Sequence, residues 1–129
     1  MIAEQIALIR KADEGLRAAR LLVGQGFVNA AVSEAYYVMF NAAKALLIEA
    51  GLRRHKHSSV IAAVGEHFAK PGLIPTDLHR WMIAAEKDRL TADYAASGEL
   101  TAEAAQQHIG HAEALLEQVR SYLSKQPIR

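Results

Sequence analysis

The stretch Ser33–Gly51, SEAYYVMFNAAKALLIEAG, decides the fold. Ala35, Met39, Ala42, Ala43, Lys44, Ala45, Leu46 and Leu47 favour helix. They outvote Tyr36 and Tyr37, whose rings lose freedom against the preceding turn. Two phenolic hydroxyls on a buried helix each need a hydrogen-bond partner, so the pair is either a structural polar clamp or one wall of a site. Extended back to Phe27, the helix carries Val28, Val32, Ala35, Tyr36, Met39, Phe40, Ala43, Leu46 and Leu47 as its apolar set. Such a wide face suits a central helix that contacts several neighbours. Gly51 is its expected C-terminal stop. Ser33, Glu34 and Asn41 share the helix and can join a polar network with the tyrosines.

Four further helices read outward from this one. The first spans about Ile2 to Val23, with Ile2, Ile6, Ile9, Leu16 and Val23 at helical spacing, and Gly24 and Gly26 stop it. A short helix runs from about Ser58 to Ala69, capped by Ser58 or Ser59 and striped by Val60, Val64 and Phe68. The next starts after Pro75 with Thr76 as N-cap and Asp77 in the first turn. It carries Leu78, Trp81, Met82, Ala85 and Leu90, and ends between Tyr94 and Gly98. The last runs from about Thr101 to Leu123, with Ile109, Ala112, Leu115, Leu116, Val119 and Leu123 inward. Nothing reads as a strand. Short connections make neighbouring helices antiparallel, so the expected fold is all-α, an up-and-down bundle of about five helices. One domain covers residues 1–129, with its core at about 6–123 and a frayed tail at 124–129.

Composition narrows the function classes. A chain of 129 residues buries roughly two-thirds of its unfolded surface, enough for one core. With no cysteine, disulfides and thiolate metal sites are excluded. The start, MIAEQIALIRKADEG, has charges from position 4 onward and no signal-peptide core. No apolar run approaches the roughly 18–20 residues of a membrane span. The expectation is a cytoplasmic protein that does not enter the membrane. A net charge of +1 argues neither for nor against a nucleic-acid partner.

Local chemistry is more telling. Arg53, Arg54, His55, Lys56 and His57 form the one dense basic cluster, in a loop before the third helix. Such a run is either a solvated loop or a surface for phosphate backbone, with the amides of the following helix close by. Arg89 and Asp93 are i and i+4 and share a helix face, with Tyr94 one position round the side. The bland reading is a surface ion pair and a tyrosine filling the bundle end. The sharper one makes Arg89 a phosphate ligand in a cleft, Asp93 its orienting carboxylate and Tyr94 a reactive or binding hydroxyl. His108 and His111 are three apart on the last helix, but no metal-ligand spacing is completed, and no metal or cofactor is expected.

Taken in order, SEAYYVMFNAAKALL, a glycine, HSSVIAAVGEHF, RLTADY and a last helix ending VRSYL resemble a HEPN domain. Within that family the chain is most similar to the small HEPN proteins grouped as UPF0332, over about Ile6 to Leu123. The resemblance implies an antiparallel, usually homodimeric bundle. It also implies a minimal nucleotidyltransferase partner in a two-gene toxin–antitoxin module. Many HEPN domains are metal-independent endoribonucleases, in which an arginine is followed after four to six residues by a histidine. There the histidine moves protons while the arginine holds the scissile phosphate. Counted from Arg89, those positions hold Tyr94, Ala95 and Ala96. Tyrosine, with an ordinary pKa of about 10, is a poor base at neutral pH. In related toxins a tyrosine near the motif is nucleotidylated by the partner enzyme, a role Tyr94 could fill by resemblance. His57 also matches a family position, and reaches Arg89 only if its loop folds back over the fourth helix.

Three readings follow. The first is a HEPN protein that binds nucleotide or RNA phosphate, partnered by a nucleotidyltransferase. Its binding residues would be Arg53, Arg54, Lys56, His57, Tyr36 and Tyr37. The second is an endoribonuclease toxin with an altered motif, worked by Arg89, Asp93 and Tyr94. The third is a non-catalytic dimerisation module.

Overall fold

Among the described residues, five helices form the expected bundle. The computed structural model describes residues 1–94 and 100–127. Helix α1 spans Ala3–Gly24, α2 Val28–Glu49, α3 His57–Val64, α4 Thr76–Tyr94 and α5 Ala102–Ser124. A single π-helical turn, Gly65–Ala69, continues α3. Among the described residues there is no strand, and no helix is long and apolar enough to cross a membrane.

The axis of the bundle is α2, which packs against all four other helices. Its alanines at 31, 35, 42, 43 and 45 are buried and let neighbouring backbones approach, while Tyr36, Met39, Leu46 and Leu47 fill the remaining volume. Leu47 has no exposed surface, so its truncation to alanine should cost about 2–5 kcal/mol. Against this axis α1 buries Gln5, Ile9, Ala12, Leu16 and Ala19, an unbroken 3–4 spacing. Ile6 falls off that stripe and is exposed, contrary to the expected face. Gln5 takes the core place instead. Its Nε2 donates to the Ala45 carbonyl at 3.1 Å and to Glu49 at 3.0 Å, and its Oε1 accepts from the Ile2 amide at 2.9 Å.

The helix ends explain other departures. Gly26 and Gly51, just past α1 and α2, adopt the left-handed conformation expected of them, with φ of 85° and 75°. Neither Ser58 nor Ser59 caps α3. The helix begins at His57, after Lys56 in extended conformation. Thr76 is the first residue of α4 rather than its cap, and Thr101 does cap α5, accepting from the Ala104 amide at 3.0 Å. In α4 the buried positions are Leu78, Met82, Ala85 and Arg89. Leu90, expected inward, is turned out by one position and is 45% exposed. The expected extension of α4 beyond Tyr94 lies outside the described residues. Ser124 belongs to α5, and Gln126 bonds back to Tyr122 and Leu123; residues 128–129 of the expected frayed tail lie outside the described residues.

Candidate functional site

The i, i+4 spacing of Arg89 and Asp93 does produce a pair, at 3.2 Å, but not on the surface. Arg89 is 5% exposed, because it occupies the core register of α4 and faces α2. One turn earlier, Glu86 takes its guanidinium through two bonds, Nη2 to Oε1 at 2.7 Å and Nε to Oε2 at 3.3 Å. A fork-to-fork pair of this kind is strong and directional. Ser33 of α2 donates to the other oxygen of Asp93, so α2 holds that carboxylate from the far side. The two rings of the opening sequence cover the cation: its central carbon lies 5.2 Å from the Tyr36 ring and 5.8 Å from the Tyr37 ring. Glu86 first, and Asp93 after it, hold the guanidinium pKa even above its ordinary value.

His57 completes the cluster from α3. Its Nδ1 lies 2.8 Å from the Tyr36 hydroxyl and 3.9 Å from Glu86 Oε2. Burial, and then Glu86, push the Tyr36 phenol well above its usual range, so it stays protonated. With Nδ1 unprotonated the phenol donates to it; with Nδ1 protonated, in the other neutral tautomer or in the imidazolium, Nδ1–H donates toward the phenol oxygen or Glu86. The imidazole is stacked on Phe40, with centroids 4.5 Å apart and planes 27° apart. These contacts draw the histidine into the first turn of α3, which is why that helix starts before the serines.

The sequence-derived candidates thus divide. Tyr36, Tyr37, His57, Arg89 and Asp93 come together. His57 reaches the Glu86–Arg89 pair as part of a helix, with no loop folding back over α4. Tyr94 is 76% exposed, and among the described residues no hydrogen bond joins it to the cluster. Arg53 is turned to α1, where Glu4 accepts from it at 3.0 and 3.3 Å. Arg53 and Arg54 line a groove of about 230 Å³ with Leu8, Lys11, Lys44 and Ile48. Lys56 is exposed. Ala95 and Ala96 lie outside the described residues.

Sequence reasoning missed Glu86, the residue that connects His57 to Arg89. Its signal was the i, i+3 spacing to Arg89, hidden by attention to the carboxylate on the other side. Phe40 was read as core and is also the platform for His57. His108 and His111, taken singly, gave no hint of their partners. His108 Nε2 lies 2.7 Å from Asp88, and His111 is stacked on Trp81 at 4.0 Å.

Comparison with known proteins places this geometry in a family. The HEPN domain model matches residues 6–122. A UPF0332 protein from Gloeobacter violaceus is 38% identical over 94 residues, covering 73% of this chain and 75% of that one. A protein of Methanocaldococcus jannaschii, provisionally named a toxin, is 35% identical over 125 residues, covering 96% of this chain and 92% of its own length. A crystal structure from Thermus thermophilus superimposes with a TM-score of 0.79 at 20% identity, covering 94% of this chain and 99% of that one, which supports the bundle alone. The motifs of α2, α3 and α4 that build the buried arginine cluster all fall within the matched span, and the chain belongs to the HEPN domain family.

Proposed function

We propose that the protein binds RNA or nucleotide phosphate at the Arg89 cluster, as the toxin-side member of a two-gene module whose other member is a minimal nucleotidyltransferase. The observation that carries this is a guanidinium held rigid in the core beside a partly exposed imidazole. The Glu86 pair is bidentate and orients the guanidinium. The Asp93 contact is a single bond, and Asp93 already has Ser33 as a second partner. Nη1 is therefore the edge that an incoming phosphate oxygen can take from Asp93. A fixed guanidinium suits phosphate geometry better than a mobile lysine. The toxin names of two relatives from Methanocaldococcus jannaschii support the biological context.

A second reading, cleavage of the bound RNA, gains one specific support. The imidazole absent after Arg89 in sequence is supplied from α3 by His57. In the tautomer whose Nδ1–H donates to Tyr36 or Glu86, Nε2 carries a free lone pair and can take a proton and later return it. Homodimerisation fits an exposed apolar stripe on the outer face of α4. Ile83 is 50%, Leu90 45% and Tyr94 76% exposed, on the helix that carries Arg89.

Binding of labelled single-stranded RNA, with cleavage followed on gels, tests both readings in wild type, Arg89→Lys and His57→Ala. Weaker binding in Arg89→Lys, measured at a temperature where circular dichroism shows the variant folded, is the expected result. RNA affinity that ignores Arg89 sinks the phosphate reading, and cleavage that survives His57→Ala sinks the second. A pure dimerisation module would bind no RNA.

A further inference from the structure

We infer that the groove between α1 and α2 takes an unpaired adenine of single-stranded RNA, with Asn41 reading the base edge. The inference rests on the phosphate reading of the Arg89 cluster and adds a base subsite beside it. On α2, Glu34, Tyr37, Asn41 and Lys44 recur at three- and four-residue steps and so form one stripe. That stripe lines a groove of about 400 Å³, closed on the other side by Lys11 and Gly15 of α1. The volume is ample for a small ligand.

Asn41 is the unusual member. It is 8% exposed, yet among the described residues its amide makes no hydrogen bond. Gln5, the other buried amide facing this helix pair, makes three. The amide nitrogen and oxygen of Asn41 are not sealed from solvent, so both remain available to a ligand that enters the groove. Gly15 keeps the floor open. A Cβ there would lie 3.1 Å from Val38 Cγ2 and 3.3 Å from Glu34 Oε1.

The surroundings fit a nucleobase with phosphates on either side. Tyr37 offers a ring face of the kind on which single-stranded bases stack. The same ring lies 5.8 Å from the Arg89 guanidinium, so the groove begins where the phosphate cluster ends. Lys11 and Lys44 line both this groove and the neighbouring one that holds Arg54, which continues a cationic track for the backbone. A carboxamide presents a donor and an acceptor side by side, which matches the exocyclic amine and adjacent ring nitrogen of adenine. Glu34 opposes anions but accepts from that same amine. Uracil has carbonyls there and would meet the carboxylate unfavourably.

Fluorescence anisotropy with end-labelled hexa-adenylate and hexa-uridylate at fixed ionic strength tests this. Wild type should bind hexa-adenylate roughly ten-fold more tightly. Asn41→Ala and the volume-preserving Asn41→Asp should both erase the ratio, each checked for folding by circular dichroism. Arg89→Lys should weaken both oligomers and keep the ratio. Equal affinities in wild type, or a ratio that survives both Asn41 variants, overturns the base subsite while leaving the phosphate reading standing. Wild type that binds neither oligomer overturns both.

Discussion

Removing Glu86 is the sharpest test of how the cluster is built, because Arg89 then has a buried charge and only one carboxylate. The substitution Glu86→Leu fills the same space with apolar atoms. Breaking a buried pair by deleting one partner costs about 3–5 kcal/mol. Two features place this case at the low end. Asp93 still accepts from Nη1 at 3.2 Å, and the Glu86 side chain is itself 20% exposed. About 3 kcal/mol is therefore expected, or a fall in melting temperature of about 12 °C for a chain of this size. Arg89→Met leaves Glu86 able to reach water and should cost less, about 1–2 kcal/mol. The double variant should recover to within about 1 kcal/mol of wild type, since an apolar pair replaces an ionic one. Thermal melts of all four proteins by circular dichroism at neutral pH close the cycle. A loss below about 4 °C in Glu86→Leu would refute the claim that Glu86 is what makes the buried Arg89 tolerable. So would a double variant whose loss equals the sum of the two singles within about 0.5 kcal/mol.

Three further outcomes follow from individual contacts. Burial, together with the neighbouring His108, lowers the His111 pKa below its ordinary value, so the folded state favours neutral imidazole. The stability this implies is present above the unfolded pKa of about 6.5 and is lost as pH falls through that value toward the folded one. The melting temperature should accordingly drop on acidification below about pH 6.5, and less so in His111→Phe, which retains a ring to stack on Trp81. Ultraviolet titration of the phenols should show one tyrosine that resists ionisation until the protein unfolds, and Tyr36→Phe should abolish that component and no other. Finally, a Cβ on Gly65 would lie 2.7 Å from the His79 ring, whose Nε2 bonds the Ile61 carbonyl at 3.0 Å. Gly65→Ala should cost about 1–2 kcal/mol in urea unfolding despite alanine's better helix propensity, and a His79→Ala background should remove the cost.

Helix positions and the central place of α2 were legible in the sequence because burial repeats with the helical period, and long runs of alanine and leucine leave little choice. What was not legible was rotation about each helix axis where a polar residue competes with an apolar one. Gln5 displaces Ile6, and Arg89 displaces Leu90, because each polar group finds enough partners in the core to offset its desolvation. Hydropathy alone orders those pairs the wrong way. The same blindness hid the site. Arg89 and Asp93 could be paired from spacing, but spacing describes one helix at a time, and the Arg89 cluster is assembled from three. Glu86 was within reach of that logic, and His57 was not, since its position depends on how the α2–α3 connection delivers the chain back to Tyr36.

That connection also decides what the tyrosines are for. Tyr36 is wholly buried with its hydroxyl bonded to His57, so it acts as the clamp. Tyr37 is only partly buried, touches Arg89 and lines the open groove beside Asn41, so it forms the wall. The two adjacent residues are not alternatives but a division of labour set by the roughly 100° between neighbouring positions on a helix. One fixes the imidazole and guanidinium in place, and the other faces the groove where the proposed ligand would lie.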